Sequence, residues 1–150
     1  MNVLKVAVLL IILLLLCSCS VDAQSVVKID GRNQSATIPG LDYTIANYFH
    51  DFNDIHKWSN VATNDFIKQA YSLCSGDTSD SKTIEEMKNS YFEINQSTLD
   101  LAECNIDKID QIDKDLVNIR VTRTWENGDT DQVSYAIIKV NDKWLIDQRF

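Results

Sequence analysis

The 150-residue chain has no glycine-rich phosphate loop, no nucleophile elbow and no metalloprotease helix motif. The backbone devices that cradle phosphates, expose a reactive serine or hold a catalytic zinc are therefore missing. There is no C-x-x-C, and His50 and His56 are the only histidines. No Cys/His spacing suits zinc, and no metal or cofactor is expected. Basic residues are in the minority: 14 Lys and Arg stand against 22 Asp and Glu, a net charge of −8. Such a surface repels phosphate backbones and anionic headgroups, so nucleic acid is not expected as a partner. No apolar run reaches the roughly 20 residues that a bilayer-spanning helix needs. The longest, Val6 to Leu16, stops well short.

That run has the marks of a secretory signal. Lys5 precedes it, no other charge occurs before Cys19, and small polar residues follow at Ser18 and Ser20. The segment Leu16-Cys17-Ser18-Cys19 resembles the bacterial lipobox, an aliphatic residue and two smallish ones before a cysteine. Cys17 stands where that motif usually has Ala, Ser or Thr, and the bulky Leu15 and Leu16 bar Cys17 itself from being the modified residue. The resemblance implies removal of residues 1–18 as a signal peptide and a diacylglyceryl thioether on Cys19. The chain would then be a lipoprotein of the cell envelope, held to the membrane and facing the periplasm or exterior. With about 0.8 kcal/mol for each buried CH₂, two or three acyl chains hold firmly without a basic patch. A rival exit, Val21-Asp22-Ala23 before Gln24, would release a soluble secreted protein instead.

Either cut leaves Cys74 and Cys104 in the domain, in a compartment that permits disulfides. A bond between them is the expectation, closing a loop of about 30 residues for ~3–4 kcal/mol in the chain-entropy model. Two buried thiols are the alternative, since cysteine packs well as a small apolar residue. Asn33-Gln34-Ser35 and Asn95-Gln96-Ser97 match the glycosylation acceptor pattern, at a frequency that chance supplies in a chain this rich in Asn, Ser and Thr.

Residues 19–40 read as lipid anchor and tether, polar and ending at Pro39-Gly40, and residues 41–150 as a single domain. Val26, Val27 and Ile29 could instead form a short edge strand. Leu41, Ile45, Tyr48, Phe49, Phe52 and Ile55 make one apolar stripe at helical period, with Asp42 as N-cap. On that helix His50 and His56 fall about 120° apart and form no pair. A second helix is expected from about Thr63 to Cys74, with Phe66, Ile67, Ala70, Leu73 and Cys74 inward and Gly76 as a left-handed cap. A third begins near Asp80, with Thr83 and Glu86 as a capping box and Ile84, Met87 and Tyr91 inward.

After Asn95 the period falls to two. Val117, Ile119, Val121 and Trp125 alternate with polar residues, as do Val133, Tyr135 and Ile137, and then Trp144, Ile146 and Phe150. Turn signals at Glu126-Asn127-Gly128 and Asn141-Asp142 separate them. A three-residue first loop sets Arg123 opposite Asp131, Val121 opposite Val133 and Ile119 opposite Tyr135. A two-residue loop would split the apolar set between two faces. The second hairpin sets Ile137 against Ile146. In residues 97–113, Leu99 and Leu101 alternate, then Ile106, Ile109 and Ile112 recur at three, interleaved with Asp107, Asp110 and Asp113. A bulged strand with a solvated acidic edge fits this best. A calcium loop does not, for want of its glycine and closing glutamate.

Helices followed by a four-stranded antiparallel meander ending in Asp142-Lys143-Trp144-Leu145-Ile146 resemble the nuclear transport factor two-like, or cystatin-like, α+β superfamily over residues 41–150. The resemblance implies N-terminal helices packed on a curved four-stranded antiparallel sheet, often with a pocket at the open end. Tyr48, Tyr91, Arg123, Tyr135 and Trp144 are the residues expected at such a pocket, none of them in a catalytic role. A membrane-tethered domain binding an envelope protein or small ligand is the leading reading. A pocket enzyme of ketosteroid isomerase or dehydratase type is second. A secreted cystatin-like inhibitor is third, and the Gln-x-Val-x-Gly loop expected of it is missing. Fold alone does not choose among these.

Overall fold

The computed structural model describes residues 26–29, 38–78 and 81–150. Cys19, the signal segment 1–18 and the rival exit before Gln24 lie outside the described residues. Strand β1 is Val26–Ile29 and helix α1 is Leu41–His50. Helix α2, Ile55–Trp58, runs into a 3₁₀ turn at Ser59–Val61, and α3 is Asn64–Ser75 and α4 Ile84–Asn95. Strands β2 (Leu101–Gln111), β3 (Leu116–Trp125), β4 (Thr130–Val140) and β5 (Lys143–Arg149) follow.

Helix α1 starts differently from the expectation. Gly40, at φ 82°, takes the cap position without a side-chain bond, and Asp42 lies inside the first turn. There its charge meets the positive end of the helix dipole. Leu41, Ile45, Tyr48 and Phe49 are buried as expected, but the helix ends at His50. Asp54 then caps α2, its side chain accepting from the His56 backbone N–H at 3.1 Å. The apolar stripe survives this break, since Phe52 and Ile55 still pack into the core. His50 and His56 therefore belong to different elements. Local signals serve the other helices well. Thr63 accepts from the Phe66 N–H, Gly76 closes α3 at φ 71°, and Thr83 and Glu86 form the capping box of α4. A cap of this kind is worth about 1 kcal/mol.

The sheet runs β1-β2-β3-β4-β5, antiparallel from β2 onward. β1, from the segment read as tether, adds a fifth strand parallel to β2. Arg123 faces Asp131, Val121 faces Val133 and Ile119 faces Tyr135, as the three-residue loop requires. Gly128 sits at φ 86°, and the Trp125 and Asp129 backbones close that loop at 2.9 Å. Ile137 faces Ile146 across the Asn141-Asp142 turn, whose residues have φ of 50° and 64°.

Two bulges explain the period of three in β2. The register shifts between Leu101 and Glu103 and again between Ile106 and Lys108. Each inserts one residue and restores the next apolar side chain to the inner face, so Leu101, Cys104 and Ile106 are buried and Ile109 packs on the core. Asp107 lies on the opposite face, accepting from Thr122 Oγ1 at 2.7 Å and Gln132 Nε2 at 3.0 Å. Among the described residues β1 pairs with Glu103 to Ile106, so Asp107, Asp110 and Asp113 lie beyond its cover, Asp110 half-exposed and Asp113 exposed. Ile112 falls beyond the strand and is exposed.

The helices lie on the inner face of the sheet and share one core with it. Helix α1 is pinned by Thr44, whose Oγ1 donates to the Trp144 carbonyl at 2.7 Å, and by Trp144 Nε1, which donates to the Pro39 carbonyl at 3.1 Å. α3 is joined to β5 by the Thr63 N–H on the Ile146 carbonyl at 2.8 Å. Each fully buried Phe or Ile contributes about 1.5–3 kcal/mol relative to exposure.

Candidate functional site

Between the helices and the inner face of the sheet is a cavity of about 950 Å³. Helices α1, α3 and α4 supply Tyr48, Phe66, Cys74 and Tyr91, and the sheet supplies Arg123, Trp125, Asp131 and Arg149. Leu73 and Leu99, both well exposed, stand at its rim. Its size and mixed lining suit a small organic ligand.

Tyr48 is the hub of the inner wall. Its ring meets those of Phe49, Trp58, Phe66 and Tyr135 edge-on, with centroids 4.8 to 5.5 Å away. Such pairs contribute about 0.5–1.5 kcal/mol beyond their burial. Burial holds its hydroxyl pKa well above the usual value, and the neighbouring Tyr135 and Tyr91 add to the rise. Burial does the same to Tyr91 and to Tyr135, with Arg123 opposing it in both. All three hydroxyls stay protonated at any physiological pH and act as neutral hydrogen-bonding groups. Tyr135 Oη is fully enclosed beside Tyr48 and has no hydrogen-bond partner among the described residues.

Arg123 points inward from β3 with 2% of its surface exposed. Its Nε donates to Asp131 Oδ1 at 2.7 Å, and its Nη2 donates to Asp131 Oδ2. The guanidinium also lies over the rings of Phe52 and Trp125, at 5.4 and 4.9 Å. Burial alone would lower the Arg123 pKa, but the Asp131 hydrogen bond and charge leave it raised. Burial alone would raise that of Asp131, and Arg123 leaves it lowered. Both groups are therefore ionised, and the pair is committed to itself.

Arg149 reaches the cavity because of a bulge in β5. The register shifts between Ala136 and Ile137, so that Arg149 comes opposite Tyr135 on the inner side. Phe150, expected inward by alternation, is exposed instead. Gln69 fixes the Arg149 main chain, accepting from its N–H at 2.7 Å and donating to its carbonyl at 2.9 Å. The guanidinium has no ion pair and no hydrogen bond among the described residues. Its charge is felt at Tyr91, Tyr135 and Asp131.

The carboxylates at the cavity are Asp131 and Asp129. Asp129 lies at the exposed hairpin tip and accepts from Asn127 Nδ2 at 2.6 Å. His50 lies beside Asp51 at 3.2 Å and His56 packs on the Phe92 ring, so neither histidine belongs to the lining.

The expected disulfide is not formed. Cys74 and Cys104 are both free thiols. Cys74 is in the last turns of α3, at the cavity, with Sγ donating to the Tyr71 carbonyl at 3.3 Å. Cys104 lies in the other layer, fully buried on β2 opposite Arg123. Burial raises the Cys74 pKa and pushes that of Cys104 up to about 12.

Of the five residues expected at a pocket, Tyr48, Tyr91 and Arg123 line this one. Tyr135 is packed against Tyr48 just behind the lining. Trp144 is elsewhere, against Gly40 and bonded to Pro39, because it closes the far end of α1. Arg149, Trp125 and the rim residue Leu99 were not anticipated as lining, and Leu73 was expected in the core. Arg149 carries no signal in the sequence, since the bulge that turns it inward has none.

No protein-family model matches the chain, and no curated protein does. Among solved structures, it is similar to a Campylobacter jejuni protein named as an NTF2-like transpeptidase. The identity is 19%, the match covers 57% of this chain and 88% of the other, and the TM-score is 0.35. It is also similar to a Xanthomonas campestris protein named as a calcium/calmodulin dependent protein kinase II association domain. There the identity is 15%, the coverage 72% of this chain and 78% of the other, and the TM-score 0.36.

Proposed function

We propose that this chain is a ligand-binding domain of the nuclear transport factor two-like type, tethered to the cell envelope by a lipid on Cys19. Binding rather than turnover is its task. The observation that supports this is the state of the ionisable groups around the cavity. The tyrosines are held neutral by burial, Asp131 is held by Arg123, and Asp129 is a solvated carboxylate at the hairpin tip, bonded to Asn127. A general base needs a free group within hydrogen-bond reach of its proton and a pKa near the working pH. The cavity walls supply shape, aromatic surface and neutral hydrogen-bond donors instead.

Ala70 of α3 lines the cavity and is partly buried. Ala70→Trp would fill that space from the helix side. The test is binding of an apolar fluorescent probe by the purified protein and by this variant. The native protein should take up the probe and the folded variant should not. Equal uptake by both would place the binding elsewhere and sink this reading.

A further inference from the structure

We infer that the cavity takes a monocarboxylate with a hydrocarbon body, its carboxylate paired with Arg149 and its chain lying towards Leu73 and Leu99. This rests on the cavity being a binding site.

Arg123, Arg149, Asp129 and Asp131 all reach the cavity, and of the two guanidiniums only that of Arg123 is hydrogen-bonded to a carboxylate among the described residues. Asp131 is engaged by Arg123 through both of its oxygens. Arg149 faces the same space with no acceptor among the described residues. A guanidinium in a partly enclosed apolar site gains most from a planar acceptor that fits its fork of donors.

Other donors of the cavity point the same way. Arg123 uses Nε and Nη2 on Asp131, and its Nη1 has no acceptor among the described residues. The hydroxyls of Tyr48 and Tyr91 are protonated and line the same space. A ligand oxygen bearing one negative charge satisfies these groups together. A phosphate is a poorer match, because a dianion gains more from several cations or a nest of backbone N–H groups than from one free guanidinium. The other end of the site is apolar. Leu73 is 61% exposed and Leu99 is 46% exposed, and both line the cavity together with Trp125. A hydrocarbon body entering the cavity covers both leucines, removing apolar surface from water.

The experiment is calorimetric titration of the purified protein with decanoate and with decanol, which share a chain and differ in the charged head. Decanoate should bind about tenfold tighter or more, the range expected for a charge-assisted hydrogen-bonded pair. Arg149→Met keeps the length of the stem and should erase the difference while leaving decanol unchanged. The main-chain bonds of residue 149 to Gln69 do not depend on its side chain, and thermal denaturation would confirm that the variant folds. Decanol binding as tightly as decanoate to the native protein overturns the carboxylate inference and leaves the cavity reading standing. Failure of both compounds to bind overturns the two together. Persistence of the decanoate preference in a folded Arg149→Met protein overturns the assignment of Arg149.

Discussion

Arg123 and Asp131 face each other across the β3–β4 hairpin, one almost wholly enclosed and the other open to water. The Arg123 side chain is 2% exposed and that of Asp131 is 40% exposed. The two halves of the pair should therefore respond unequally to substitution. Asp131→Ala strands a guanidinium inside the domain, and a hydrogen-bonded charge lost in this way costs about 1.5–3 kcal/mol. Arg123→Leu leaves a carboxylate that water can solvate and an apolar side chain where the rings of Phe52 and Trp125 lie, so its cost should be smaller. Urea unfolding of both variants checks the order. The pair also has a pH signature. The folded pKa of Asp131 is lowered, so its contribution is complete above the ordinary carboxylate range and is lost as pH falls through the folded value. Native stability should decline below about pH 4 with a component that is missing in Asp131→Asn.

The thiols should betray their separate environments by their rates of alkylation. Cys104 is buried, and its pKa of about 12 leaves almost no thiolate at neutral pH. Cys74 borders the cavity with a pKa raised less far. Iodoacetamide on the native protein should modify Cys74 slowly and leave Cys104 untouched. Denatured without reductant, the chain should gain one adduct at each position by peptide mapping. A non-reduced, denatured chain that takes no adduct at either would restore the disulfide.

Lipidation of Cys19 predicts a change of address. Cys19→Ala should move the protein out of the membrane fraction or leave it unprocessed. The mature N-terminus of the native protein should carry a diacylglyceryl adduct by mass spectrometry. An unmodified terminus at Gln24 would mean secretion instead.

What the sequence made legible was what short-range chemistry decides. Thr63, Gly76, Thr83 and Glu86 specify their helix ends by bonds to neighbours a few residues away. The hairpin register followed from loop length and face alternation, two constraints that agree at only one setting. Bulges were harder. In β2 the spacing of Ile106 and Ile109 signalled one, because apolar residues marked both sides of it. In β5 Phe150 offered a plausible inward residue at the wrong parity, and Arg149 gave no hint of its position. The break after His50 was hidden for a related reason. The stripe through Phe52 and Ile55 continues across it, and Asp51, Asn53 and Asp54 were the available turn formers. Cys74 and Cys104 show the limit most plainly. Sequence supplies two cysteines, while only the layering of helix over sheet decides whether their sulfurs meet.

The bonds that close α1 onto β5 have a consequence for the nascent chain. Thr44 and Trp144, and Pro39 and Trp144, are 100 and 105 residues apart. At the usual pace of translation, helix α1 leaves the ribosome about 5–20 s before its partner strand exists. Until β4 is made, Tyr48 and Phe49 lack the Tyr135 ring they pack on, and long-range pairing of this kind is slow in any case. Synthesis thus leaves α1 unpinned until its final strand is made, a state that a holding chaperone can recognise. A chain truncated ahead of Trp144 lacks both bonds and should unfold at lower urea than the full chain.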